Sequence, residues 1–159
     1  MNFTHAIQID ADGQHDLAAV TDFLDQAHHN PQALVCGYPI YDQTVPLSRL
    51  WGRELTNFWV HVNTRSKALR DAMCGFRVYP LAQTLPVLPS VKTRRMDFDP
   101  DIVVRLIWAG VTVINRPVRV TYPKDGISHF RGFSDNMRIS RLHAGHFCTM
   151  LLRRMGLAK

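Results

Sequence analysis

The chain has 159 residues, 46% of them apolar and 20% charged, with a formal net charge of +6. This is the make-up of one globular domain with a buried core, and it excludes a fibre, a disulfide-stapled miniprotein and a disordered tail. The charge is uneven: residues 1–50 hold six acids and one base, 51–100 four acids and eight bases, and 101–159 three acids and ten bases. That gradient points to an acidic site at one end and an anionic partner for the other: nucleic acid, phosphate or a lipid surface.

Cys36, Cys74 and Cys148 are odd in number and widely spaced, so neither a disulfide framework nor a CxxC site is expected. Met1 to Ile9 lacks the basic and apolar blocks of a signal peptide, and charges such as Arg105 interrupt every apolar stretch. The expected location is the cytoplasm, with the inner membrane face as the surface it would meet.

His5 to Ile9 has the pattern of a short strand that runs into the acidic turn Asp10-Ala-Asp-Gly-Gln-His-Asp16. Asp16 is expected to cap a helix with the stripe Leu17, Val20, Phe23, Leu24 and Ala27, and Ala33 to Tyr38 follows as a buried strand. Leu47, Leu50, Trp51, Leu55, Phe58, Trp59 and Val62 repeat at helical spacing, and the Trp51, Phe58 and Trp59 stripe is expected to be core or helix packing. Cys74 to Tyr79 is strand-like, and the proline-rich Leu81 to Pro89 is expected to be irregular.

Asp99-Pro100-Asp101 is a helix opening, with Asp99 as cap, Asp101 freer to face a cleft, and Gly110 as the stop. Val111 to Tyr122 predicts a strand with Pro117 at an edge or a bulge, and Ser134 to Met155 a helix. One side of that last helix carries Met137, Ala144, Cys148, Leu151 and Met155, with Arg138, Arg141 and Arg153 elsewhere. It can lie on an anionic bilayer or pack on the domain with its bases in water. Alternating strands and helices give an α/β fold with a mostly parallel sheet.

Asp10, Asp12 and Gln14 alternate beyond the first strand and so share a side, where oxygen ligands suit Mg²⁺ or Mn²⁺. A solvated Asp-Gly turn explains the same residues, and the spacing alone leaves both readings open. His28-His29 and His143-x-x-His146 have no partners that complete a zinc set and are expected to be solvated or capping.

Taken together, Ile9 to Asp16, Asp71 to Pro80, Met96 to Ile102 and Pro117 to Phe130 resemble the family-two glycosyltransferases, closest to the dolichyl-phosphate-mannose-synthase-like branch. The resemblance implies a partial GT-A (Rossmann-like) fold. It also implies inverting, metal-assisted sugar transfer from a nucleotide-diphosphate donor to a polyprenyl-phosphate or other lipid acceptor, with no nucleic acid partner. Asp10, Asp12 and Gln14 match the family's metal motif, with Mg²⁺ or Mn²⁺ as the cation. Asp101 matches the acidic position at the start of a helix, where it could act as general base toward a hydroxyl. Asp71, Arg77, Lys124, Ser128 and His129 match positions around the donor or acceptor phosphates, with Cys74 and His129 departing from the usual Ser and Lys.

Relatives open with a nucleotide-gripping strand and loop that has no counterpart before Met1, so the expectation is a chain that lacks this segment and binds donor poorly by itself. Residues 1–132 would then be the C-terminal portion of the transferase domain, and 133–159 a basic amphipathic helix at a membrane surface. The alternative function is a noncatalytic basic module that binds membrane or nucleic acid through residues 131–159.

Overall fold

The strand and helix patterns fold, in the computed structural model, which describes residues 2–41, 45, 47–121 and 132–157, as four strands and five α-helices. In chain order these are β1 (His5–Gln8), α1 (Ala19–His29), β2 (Leu34–Tyr41), α2 (Leu47–Thr64), β3 (Arg77–Pro80), α3 (Leu81–Val87), α4 (Phe98–Trp108), β4 (Val113–Val120) and α5 (Gly132–Arg154). No helix among the described residues is long and apolar enough to cross a membrane.

The sheet order is β1-β3-β2-β4. Only β2 and β4 pair in parallel, from Leu34 opposite Val113 to Tyr41 opposite Val120, while β3 is antiparallel to both of its neighbours. The expected mostly parallel sheet is therefore a mixed one. The cause is the irregular connector 65–76, whose twelve residues can reach about 40 Å when extended, enough to return the chain along the sheet before β3 begins. Asn115 pins this connector by accepting from Arg70 N and donating to Ala68 O, and Asn57 Oδ1 accepts from Ala72 N. β3 thus enters opposite Gln8, at the carboxyl end of β1.

Side chains alternate along β2, so Leu34 and Cys36 join Val60, Leu69, Ile102 and Leu106 on one face, while Val35 joins Phe23, Phe76, Val78 and Val118 on the other. Each such buried side chain contributes about 1.5–3 kcal/mol. Helices α2 and α4 cover the first face and α1 the second. Pro117 lies on β4, an edge strand of the described sheet, where a missing N–H costs no ladder bond to a further neighbour.

Three local expectations change. Leu81 to Pro89 is not irregular: α3 starts at Pro80, which holds the cap position, and Leu81 N donates to Thr4 O. Pro86 is tolerated because Ala82, whose carbonyl loses its donor, and Pro86 are both exposed to water. Asp16 does not cap a helix start directly but makes a turn, its carboxylate accepting from Ala18 N, one residue before α1.

The third change concerns α2. Trp59 packs as expected, stacked on His143 and edge-on to Phe147 of α5, but Trp51 is 78% and Phe58 57% exposed. Helix α5 is inverted relative to its apolar pattern. It docks through Asp135, Ile139, His143 and His146, which are buried, while Met137, Cys148, Leu151 and Met155 face outward. His143 and His146 are therefore neither solvated nor capping.

Candidate functional site

β1 delivers the chain to Asp10 at the edge of an acidic turn that is tied to the end of β4. Asp16 N donates to Arg119 O, Thr121 N donates to Gln14 O, and His15 bridges to Val120. Asp12 Oδ1 accepts from Gln14 N across Gly13, whose φ of 71° is the left-handed conformation that glycine adopts without strain. Asp12 thus serves the turn with one oxygen.

Asp10 is held differently. The β1/β3 register pairs Gln8 with Arg77, and continuing it sets Asp10 opposite Gly75. A Cβ at residue 75 would collide with the Asp10 carboxylate, so glycine is what lets the acid lie against the β3 backbone. His15 Nε2 stands 3.7 Å from Asp10 Oδ2, and its ring meets Phe76 edge-on. The Asp10 side chain stays 43% exposed.

Among the described residues no three His, Cys, Asp or Glu side chains converge as a metal cage. Asp10, Asp12 and Gln14 instead offer an open set of hard oxygens on a turn. Oxygen donors of this type suit a hard cation such as Mg²⁺ or Mn²⁺, and their placement on an open turn does not suit an ion enclosed by protein.

Behind the turn lies a second group. Arg77 is 0% exposed, and its Nη1 donates to Asp99 Oδ1 at 2.9 Å and to the Asp99 carbonyl, while Nη2 donates to Ala72 O. Gln8 Nε2 also donates to Asp99 Oδ1, and Tyr79 Oη donates to Gln8 Oε1 at 2.7 Å. Burial opposes the guanidinium charge, but Tyr79 and Asp99 outweigh it and raise the Arg77 pKa further; burial pushes the Tyr79 phenol up to about 12. No donor to Asp99 Oδ2 is found among the described residues. Asp99 is therefore a braced carboxylate on the β1/β3 side of α4, and not the helix cap expected of it.

Asp101 departs most from expectation. Two residues along a helix turn the side chain by about 200°, so Asp101 faces α5 and is 1% exposed. His146 Nε2 and Arg105 Nε donate to its Oδ1 at 2.9 and 2.6 Å, and Thr93 Oγ1 donates to Oδ2. Burial raises its pKa, but those three hydrogen bonds prevail and hold it below the usual value. A carboxylate enclosed in this way is a structural anchor for α5 and has no access to an acceptor.

The other predicted residues divide. Asp71 is buried in a two-oxygen ion pair with Arg53 at 2.7 and 2.8 Å; Arg77 gives both terminal nitrogens to protein groups, its buried Nε has no partner among the described residues, and at 0% exposure it presents nothing at the surface to a phosphate. Lys124, Ser128 and His129 lie outside the described residues. Burial pushes the Cys36 and Cys74 thiols up to about 12, which leaves them protonated and inert as nucleophiles.

The α5 seat makes stability pH-dependent. Burial, then His146, pushes His143 down to about 4, and Asn63 is its polar neighbour. A histidine neutral in the fold but protonated in the unfolded chain contributes stability that is complete above about pH 6.5 and lost as pH falls toward 4, up to about 3 kcal/mol. Asp101 acts lower, since its depressed pKa costs stability only as pH falls below the ordinary carboxylate range. Urea midpoints at pH 7.5 and 5.0 should differ in the native chain and converge in His143→Leu; equal midpoints in the native chain would contradict this seat.

No protein-family model matches the chain, and no solved structure matches it significantly. Over 106 residues it is 24% identical to dolichyl-phosphate beta-glucosyltransferase of Dictyostelium discoideum, an alignment covering 62% of this chain and 32% of that protein. The match spans about a third of the length of this curated relative. It supports a distant glycosyltransferase relationship.

Proposed function

We propose that this chain carries metal-side and acceptor-side residues of an inverting glycosyltransferase of the family-two type, moving a sugar from a nucleotide-diphosphate donor to a lipid-linked acceptor. The observation that carries this reading is the pairing of β1 with β3. Through it the exposed Asp10 carboxylate and the braced Asp99 carboxylate come to the same strand ends. The Dictyostelium similarity supports the class of reaction and no finer detail.

In this reading Asp10, Asp12 and Gln14 would hold Mg²⁺ or Mn²⁺. When bound, the cation neutralises the charge that builds on the departing nucleotide diphosphate. Asp99 accepts the proton of an acceptor hydroxyl, oriented by Gln8 and by Arg77, while Tyr79 fixes Gln8. An acceptor phosphate is already ionised and needs no base. Lys124, Ser128 and His129 are the proposed contacts to phosphate, and Asp71 and Arg77 act behind the site as supports.

The experiment is a transfer assay of the full-length protein with radiolabelled nucleotide sugars, offering polyprenyl phosphate and hydroxyl-bearing glycolipids as acceptors. Label should reach one acceptor class only with Mg²⁺ or Mn²⁺, fall at least about 100-fold with EDTA and return on adding metal. Transfer that persists unchanged in EDTA, or no transfer across the panel, overturns the reading.

A further inference from the structure

An apolar stripe on each of α2 and α5 is left outside the fold, and the two adjoin. On α2, Trp51, Leu55 and Phe58 recur at helical spacing and are all exposed. On α5, Phe147 and Leu151 do the same, and Met155 follows just past its end. The two stripes meet through Trp59, whose ring contacts Phe58 at 5.7 Å and Phe147 at 6.3 Å. Asn63 reaches His143 and Trp59 reaches Phe147, so the helices run antiparallel and Trp51 lies toward the Met155 end.

A folded protein rarely leaves a continuous face of this kind without an occupant. Charge selects which one. Arg138, Arg141 and Arg154 are exposed on α5, and Arg65 and Lys67 follow the end of α2. Glu54 is the exposed acid of the described part of these helices, because Asp135 of α5 is buried. A second copy of the chain would bring these cations against themselves. Exposed Trp, Phe and Leu with Arg141 and Arg154, which lie within about 80° of Leu151 around the helix, match a bilayer interface, where rings and methylenes enter the headgroup boundary and guanidinium groups meet lipid phosphates.

We propose that α2 and α5 form one docking platform for an anionic phospholipid bilayer, with Trp51, Leu55 and Phe58 of α2 as its second row beside the outward side of α5. The platform is distinct from the carboxylates at the β1/β3 ends and needs no nucleotide sugar. Asp101 serves it indirectly, since its bond to His146 sets which side of α5 turns outward. The buried side of α5 carries Asp135, His143 and His146 beside Ile139 and is tied by hydrogen bonds to Asp101 and Asn63, which leaves its outward apolar residues free for lipid.

Co-sedimentation of the full chain with phosphatidylcholine vesicles containing about 30% phosphatidylglycerol tests this. Binding should be at least about tenfold stronger than to pure phosphatidylcholine and should weaken about tenfold between 50 and 500 mM NaCl. The exposed Trp51 should shift its emission to the blue on binding. The double variant Trp51→Ser/Phe58→Ser should bind about tenfold more weakly while unfolding at the native urea midpoint, because both residues lie on the surface.

Unchanged binding by that variant removes α2 from the surface and overturns the proposal, as does equal affinity for neutral vesicles. A dimer seen by light scattering and lost in the double variant assigns the face to a second copy instead, which also overturns it. Asp10→Asn should bind vesicles as the native chain does, so failure of the transfer reading and failure of this one are separable.

Discussion

Replacing Asp10 by Asn is expected to lower kcat/KM for sugar transfer by about 10²–10³-fold, with little change in the urea midpoint. On the proposed reading, loss of one anionic oxygen ligand would weaken the hold on a cation whose charge neutralisation is worth several kcal/mol in the transition state. The side chain is 43% exposed, and its ion-pair distance to His15 Nε2 is a long 3.7 Å. Gly75→Ala should reproduce much of the kinetic loss, because its Cβ would occupy the space of the Asp10 carboxylate and force that group to move. The Mn²⁺ dependence of the two variants separates the causes. Gly75→Ala keeps the charge and should regain activity at raised Mn²⁺, whereas Asp10→Asn should not. Full activity in Asp10→Asn would falsify the assignment of this turn.

A second contrast sets two acids of one helix against each other. Asp99→Asn should cost about 10²–10⁴-fold in kcat when the acceptor is a hydroxyl, the usual worth of a positioned general base, and little when the acceptor is a phosphate. Asp101→Ala should instead destabilise by about 3–5 kcal/mol, because it leaves Arg105, His146 and Thr93 without their shared acceptor in a buried place. That loss is a large part of the stability of an ordinary domain. The fraction that remains folded should turn over at the native rate. A normally stable Asp101→Ala protein with a base-type loss of kcat would return the catalytic role to Asp101.

The reversal between Asp99 and Asp101 shows where sequence reasoning stops. Both fall in the first turn of α4, and both suit a helix start electrostatically. Which one meets the strand ends depends on how α4 rotates against β3, and that rotation is set by the partners Gln8, Arg77 and His146, distant in sequence. Arg77 misled for a related reason. An arginine beside Gly-Phe invites a phosphate contact, but the mixed sheet makes β3 an inner strand and buries the guanidinium completely. Asp99 could have been found from one signal, since Arg77 in a strand of buried residues needs a nearby carboxylate.

The periodicity of α2 and α5 was legible, and the fate of their apolar sides was not. A helical stripe states that one side is apolar, and it is silent on whether protein or lipid covers it. Here Trp59 packs inward while Trp51 and Phe58 remain outside, and α5 docks by two histidines that the sequence pattern assigns to solvent.

What the residue order determined by itself was local. It specified the alternation of strands and helices, the acidic turn after β1 and the stop at Gly110, each set by a few neighbouring residues and their backbone preferences. Only the tertiary structure decided the direction of β3, the burial of Arg77 and Asp101, the seat of Asp10 against Gly75 and the outward side of α5. Each of these depends on which distant segments meet across the sheet, and a pattern read along the chain holds no record of those encounters.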